Sequence, residues 1–157
     1  MLPGDLLKTA IYLANSTTGK PRQADLRRAV STTYYAMFHT LAKSCADLII
    51  GSASAQRSNA AWTQVYRALD HGLAKQACSN NKTIANFPQK IQDFANQFVQ
   101  MQIKRHKADY DPDDRPFKSA VMNDISIVET IIKEFQKVPI KDRRAFAAWV
   151  IFKPARS

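Results

Sequence analysis

Arg105 and Asp109 are the charged residues whose spacing most directly suggests chemistry. They are four residues apart, so on a helix they share a face with Gln102 and can pair with each other. Toward the N-terminus the same face is apolar, with Ile91, Phe94, Ala95 and Phe98. A charge on a core-facing line is costly unless it is paired or lies in a wet cleft. Arg105 is therefore either half of a structural ion pair or a phosphate ligand in a pocket or symmetric interface.

A second row of polar and aromatic residues lies on the longest predicted helix. Arg28, Thr32, Tyr35 and His39 are three, four or seven residues apart, so they share one line of that helix. Two interpretations of Tyr35 and His39 stay open. They cover the edge of the core as amphipathic residues, or they form one wall of a cleft whose other wall carries Arg105. Only the second interpretation gives them a role in chemistry.

The periodicity of apolar residues predicts the elements that position these side chains. Apolar steps of three and four occur in several segments, and none shows the alternation of a strand. The predicted helices cover about residues 2–14, 22–50, 59–78, 87–111, 117–138 and 141–152. Asn86 is the expected cap of the Arg105 helix and Pro112 its expected stop. His71, beside Gly72 in the third helix, is expected to face solvent.

The predicted fold class is all-α, an up-and-down bundle of four to five helices followed by a short C-terminal helix. Residues 1–138 are expected to form the helical domain, and residues 139–157 the short helix and a basic tail. A chain of 157 residues with 45% hydrophobic residues is large enough to bury a single core. Its four glycines are few for a fold rich in tight turns.

Composition limits the kinds of partner. The formal net charge of +10 fits a polyanion such as nucleic acid, although the basic residues are spread along the chain. No apolar run is long enough to span a membrane, and the N-terminus lacks a signal-peptide pattern. Cys45 and Cys78 lie on separate predicted helices without a paired-cysteine motif, which indicates free thiols. We therefore expect a cytoplasmic protein with no membrane partner.

Several kinds of catalytic site are excluded by residue type and spacing. His39, His71 and His106 lie on three different predicted helices, without a carboxylate at metal-ligand spacing, so no metal site is expected. No glycine loop that could cradle a phosphate occurs, and no serine or cysteine nucleophile motif is present. No cofactor is expected.

Two motifs on the predicted helices point to a known family. The first is RRAVSTTYYAMFHTLAKS, residues 27–44, which contains Tyr-Tyr-Ala-x-Phe, and the second is RHKADYDP, residues 105–112. In this order on a basic, all-helical chain, they resemble a prokaryotic branch of the HEPN domain family (higher eukaryotes and prokaryotes nucleotide-binding). The resemblance covers about residues 2–138.

The resemblance implies a helical bundle that often dimerises and, in many members, a metal-independent endoribonuclease of toxin–antitoxin or antiviral systems. In those members an arginine and a histidine a few residues later act on phosphate in the cleft between two copies. Counting from Arg105, that histidine would fall at Tyr110, Asp111 or Pro112, so the motif is incomplete here. The resemblance thus makes Arg105 a catalytic candidate, with His39 or Tyr110 assisting proton transfer.

Three functions stay open at this point. The first is a ribonuclease, and the second is a non-catalytic HEPN module that binds RNA, nucleotide, or a nucleotidyltransferase-type or antitoxin partner. The third is a purely structural dimer, in which the end of the Arg105 helix only ties helices together. The supporting residues expected for the first two are Arg28, Tyr35, Lys104 and His106 for nucleic-acid binding and Asp109 and Gln102 for orientation.

Overall fold

The computed structural model describes residues 2–153, and within that range the chain has eight helices and no strand. The predicted all-α class is therefore confirmed. The last four residues of the predicted basic tail lie outside the described range. The helices are α1 (Pro3–Ala14), α2 (Gln23–Ile49), α3 (Asn59–Ala68), α4 (His71–Ser79), α5 (Asn81–Ile84), α6 (Gln89–Tyr110), α7 (Lys118–Gln136) and α8 (Ile140–Ile151).

α2 is the central helix of the bundle and packs against α1, α3, α6, α7 and α8. The start of α2 meets the end of α6, where the Arg27 guanidinium donates a hydrogen bond to the Ala108 carbonyl. The end of α6 meets the start of α7, where Lys104 pairs with Asp124. α2 and α6 therefore run in opposite directions, as do α6 and α7. No helix in the described range is long and apolar enough to cross a membrane.

Aromatic side chains fill the middle of the bundle. The ring of Phe94 on α6 stacks on Phe135 of α7 with 4.3 Å between centroids, and Phe146 of α8 meets both rings edge-on. All three side chains are fully buried. Burial of an aromatic side chain stabilises the fold by about 1.5–3 kcal/mol. α8 also buries Ala147 and Val150, so this helix belongs to the same core as α2, α6 and α7.

The prediction of one continuous helix over residues 59–78 is wrong. α3 ends at Ala68, and extended backbone at Leu69 and Asp70 separates it from α4. The Asp70 carboxylate accepts a hydrogen bond from the Leu73 backbone N–H at 2.8 Å, which caps α4. An aspartate that caps a new helix competes with continuation of the old one. The resulting bend directs His71 toward α2.

The expected cap of the Arg105 helix is also wrong. α6 begins at Gln89 after Pro88, without a side-chain cap. The Asn86 amide instead donates to the Lys82 carbonyl at 3.4 Å, in the connection that precedes α6. No helix is predicted between residues 78 and 87, but this connection contains the single helical turn α5, which Asn80 caps.

Candidate active site around Tyr35

The ring of Tyr35, on α2, lies beside three groups that can act on a phosphate ester. The guanidinium carbon of Arg105 is 5.7 Å from the Tyr35 ring centroid, and the imidazole centroids of His71 and His39 are 5.9 and 6.1 Å away. These groups come from α6, α4 and α2, and all are partly exposed. We call these side chains and the tyrosines in contact with them, Tyr34, Tyr35, His39, Tyr66, His71 and Arg105, the aromatic cluster.

Arg105 is held partly within the protein and partly at its surface, with 14% of its side chain exposed. Its guanidinium carbon lies 5.1 Å from the Tyr34 ring centroid, a cation–π contact, and Nη1 pairs with the Asp109 carboxylate at 3.4 Å. Nε is buried and has no hydrogen-bond partner in the part of the chain that the structure describes. Nη2 makes no hydrogen bond within residues 2–153, and unlike Nε it is not buried. This nitrogen therefore reaches solvent. An anion at the surface can therefore accept a hydrogen bond from this nitrogen.

The hydroxyl oxygen of Tyr34 lies 2.6 Å from Nδ1 of His71. The His71 ring also stacks on Phe38, with 4.0 Å between centroids. Burial raises the pKa of the Tyr34 hydroxyl far above neutrality, so this hydroxyl keeps its proton. The pKa of His71 is lowered from 6.5, first by burial and then by the nearby Arg105 guanidinium. His71 is therefore uncharged at neutral pH.

A second tyrosine–histidine pair meets Tyr35 through the ring of His39. Nδ1 of His39 hydrogen-bonds the hydroxyl of Tyr66, whose ring stacks on Trp62 with 5.1 Å between centroids. Burial lowers the pKa of His39 and raises that of Tyr66, although neither side chain is fully buried. Nε2 of His39 has no hydrogen-bond partner in the described range, and it is not buried. This nitrogen is therefore open to solvent. A neutral imidazole in this position can accept a proton.

The expectation that His71 faces solvent holds for only part of its ring, because the start of α4 is fixed against α6 and the ring packs on α2. The side-chain amide of Gln102 donates to the His71 backbone carbonyl at 2.9 Å, and Gln102 is 8% exposed. The Asp70 cap fixes the same turn from the N-terminal side. His71 is thus the functional candidate that the sequence analysis missed. The signal for it was an aspartate and a glycine within a predicted helix, which indicate a new start.

Hydrogen bonds between α2 and the end of α6 position the last turn of that helix. Arg27 donates from Nε to the Ala108 carbonyl at 2.7 Å and from Nη2 to the Asp111 carbonyl at 2.6 Å. The Ser31 hydroxyl lies 3.5 Å from the Asp109 carboxylate. Carbonyls at a helix end lack partners within the helix, and Pro112 has no N–H for the Ala108 carbonyl, so Arg27 satisfies that group. The Asp111 carbonyl also accepts from the Asp114 backbone N–H at 3.2 Å.

The other predicted functional residues lie away from Tyr35. Tyr110 is 68% exposed, and its ring packs against His106 with 4.9 Å between centroids. Arg28 is exposed in a shallow groove beside Tyr110. Lys104 donates to both carboxylate oxygens of buried Asp124, at 2.9 and 2.8 Å. Tyr110 thus lies at the exposed end of α6, Arg28 lies near the start of α2, and Lys104 lies at the contact between α6 and α7.

Other reactive side chains give no competing site in the described range. Within residues 2–153, no group of three histidine, cysteine, aspartate or glutamate residues is arranged to hold a metal ion. Cys45 and Cys78 are buried free thiols, and burial raises the pKa of each to about 12, so neither is a thiolate at neutral pH. No family model, curated protein or solved structure matches the chain. Functional inference therefore depends on the aromatic cluster, which combines one cation with two neutral imidazoles.

Proposed function

We propose that the protein is a metal-independent endoribonuclease of the HEPN type, with the aromatic cluster as its active site. The observation that carries this proposal is the position of the Tyr35 ring, which has Arg105, His71 and His39 at 5.7, 5.9 and 6.1 Å. The RHKADYDP segment lacks the family's histidine, and in this proposal imidazoles from α2 and α4 take its place.

Arg105 binds the phosphate at which the RNA is cut. Its Nη2 reaches solvent, and a guanidinium forms strong charge-assisted hydrogen bonds with phosphate oxygens. Charge grows on those oxygens as the 2′-hydroxyl attacks phosphorus, so a cation fixed beside them stabilises the transition state. The Tyr34 and Tyr35 rings hold the guanidinium in place before the substrate arrives. The net charge of +10 attracts the polyanion.

His39 acts as the general base. Its pKa is lowered by burial, so at neutral pH the ring is uncharged and can take the proton of the RNA 2′-hydroxyl. The 2′-oxygen forms a bond to phosphorus as the bond to the 5′-oxygen breaks, and the departing 5′-oxygen takes a proton from water or from protonated His39. The products are a 2′,3′-cyclic phosphate and a 5′-hydroxyl, and no metal ion takes part.

The wider role in this proposal comes from the resemblance of the two motifs. Two copies would form the cleft, and a partner such as a nucleotidyltransferase or another antitoxin would control the activity within a toxin–antitoxin or antiviral system. A non-catalytic module that binds RNA or nucleotide is the second candidate. The low exposure of Arg105 and its pairing with Asp109 favour that candidate, because a ligand has to compete with the carboxylate for the guanidinium.

The test is cleavage of an unstructured RNA by the pure protein in the presence of a chelator, with analysis of the product ends. Arg105→Ala is expected to lower the rate by about 10²–10³-fold, as for loss of one oxyanion-stabilising donor. Arg105→Lys should recover only part of the rate, because an ammonium group lacks the planar fork that stacks and binds phosphate. Arg115→Ala, which removes an exposed arginine between α6 and α7, is the matched control and should keep the wild-type rate.

The outcomes separate the candidates. Cyclic-phosphate ends that depend on Arg105 support the nuclease. Salt-sensitive RNA binding that is lost in Arg105→Ala, without cleavage by the wild type, supports the binding module. Cleavage that Arg105→Ala leaves unchanged rejects the aromatic cluster as the active site.

A further inference from the structure

We infer that His71 is a neutral hydrogen-bond donor to a phosphate oxygen and takes no part in proton transfer, because Tyr34 fixes its tautomer. The phosphate in this inference is that of the proposed RNA substrate, so the ligand rests on the proposed function. The tautomer rests only on hydrogen bonding within the chain.

The direction of the hydrogen bond follows from the burial of Tyr34. This side chain has no exposed surface, and Nδ1 of His71, at 2.6 Å, is the one hydrogen-bond partner of its hydroxyl within residues 2–153. A buried hydroxyl whose proton finds no acceptor costs about 1–3 kcal/mol. The hydroxyl therefore donates to Nδ1, which must accept through its lone pair.

It follows that the single proton of the neutral His71 ring lies on Nε2. This nitrogen has no hydrogen-bond partner in the described range, and it is not buried. Its N–H therefore reaches solvent. If Nδ1 also carried a proton, the Tyr34 O–H and the Nδ1–H would be two donors facing each other with no acceptor between them. The charged ring would also be a second cation near Arg105. Among the described residues, Asp70 at the start of α4 is the carboxylate that favours the charged ring, and its effect is smaller than that of Arg105.

This tautomer excludes proton transfer at the exposed nitrogen. Nε2 already carries a proton and has no lone pair to accept another, so it cannot act as a base. As an acid it would have to leave an imidazole anion, which a low-dielectric setting next to a buried tyrosine does not stabilise. It can donate a hydrogen bond. His71 and Arg105 both lie beside Tyr35, and the guanidinium is near enough to lower the pKa of His71. In this inference their N–H groups bind two oxygens of one phosphate.

The first experiment observes the tautomer directly in the wild-type protein. Long-range nitrogen–proton NMR correlation spectra of histidine-labelled protein distinguish a protonated Nε2 from a protonated Nδ1, and loss of one signal set in His71→Gln assigns the resonances. At neutral pH we expect His71 with a protonated Nε2 and an unprotonated Nδ1. A protonated Nδ1, or a charged ring, overturns the inference. Tyr34→Phe should release the constraint and raise the pKa of His71, because the bond that favours the neutral ring is gone.

The second experiment uses the fact that a glutamine side chain keeps an N–H donor but cannot titrate. His71→Gln should keep most of the cleavage rate and the shape of the pH–rate profile, whereas His71→Ala should be slower by about 10²-fold. If the glutamine variant is as slow as the alanine variant, or loses one limb of the profile, His71 transfers protons and the inference fails. Circular dichroism and thermal unfolding check that both variants fold, and the NMR result stands even if one does not.

A third measurement separates failure of this inference from failure of the proposed function. If the wild type does not cut RNA, the affinity for a 2′-O-methyl RNA, which cannot be cleaved, replaces the rate. His71→Gln should bind like the wild type, and His71→Ala should bind about 10-fold more weakly, as for loss of one hydrogen bond to a charged group. Equal affinity of His71→Ala and wild type, or no RNA binding by either, overturns the phosphate contact.

Discussion

The two tyrosine–histidine pairs of the aromatic cluster have the same atoms in contact but differ in their surroundings. In each pair a tyrosine hydroxyl hydrogen-bonds Nδ1 of a histidine. Tyr34 is completely buried, whereas Tyr66 keeps part of its surface in solvent. Water can therefore serve as a second partner for the Tyr66 hydroxyl, and the tautomer of His39 stays free. Among residues 2–153 the Tyr34 hydroxyl has only His71 as a hydrogen-bond partner, and the tautomer of His71 is fixed.

The difference in burial originates in the helices that carry the tyrosines. Tyr34 lies on the core face of α2, with the Phe98 ring 5.5 Å from its own. Tyr66 lies on α3, which has no fully buried residue and ends before the Asp70 cap. One fold thereby gives identical chemical pairs two roles in the proposed reaction, a proton acceptor at His39 and a fixed donor at His71.

The largest expected effect of breaking either pair is on stability. Tyr34→Ala should lower the free energy of unfolding by about 3–5 kcal/mol, as for deletion of a fully buried aromatic side chain. Tyr66→Ala should cost about 1–2 kcal/mol, because that side chain is only partly buried in the native state. Urea unfolding followed by circular dichroism measures both values. Similar losses for the two variants would contradict the difference in burial.

Removal of the hydroxyl alone gives a smaller effect and a sharper comparison. Tyr34→Phe should cost about 1–2 kcal/mol, because Nδ1 of His71 loses its donor in a place that water does not reach. Tyr66→Phe should cost less than about 0.5 kcal/mol, since water can replace the lost partner of His39. The same urea experiment tests this pair of variants. A larger cost for Tyr66→Phe would reverse the assignment of the fixed tautomer.

The smallest expected effect is the dependence of stability on pH. The pKa values of His71 and His39 are both lowered from 6.5 in the folded state, chiefly by burial. As the pH falls through about 6.5, the unfolded chain binds protons at these rings before the folded chain does. The stability that these two neutral rings contribute is therefore fully present above that pH, and it is lost as the pH falls further. His71→Gln and His39→Gln should each flatten this slope, which unfolding curves at several pH values would measure. An unchanged slope in both would show that the rings titrate alike in the two states.

Much of the fold follows from local patterns in the chain. Apolar residues at steps of three and four placed α1, α2, α6, α7 and α8 within a few residues of their observed bounds, because the period of a helix is visible in any sequence that buries one face. The same spacing indicated that Arg105 and Asp109 can pair, and they do so at 3.4 Å. The break between α3 and α4 was missed because one capping aspartate outweighed an otherwise continuous pattern.

The chain alone therefore determined the all-helical class, the position of Arg105 on the inner face of its helix, and the line that joins Tyr35 to His39. Only the tertiary structure decided that His71 lies beside them, since Tyr34 and His71 are 37 residues apart in the chain. It also decided which tyrosine is buried, and with that which histidine keeps a free tautomer. Burial depends on what every other helix covers, and no local spacing contains that information.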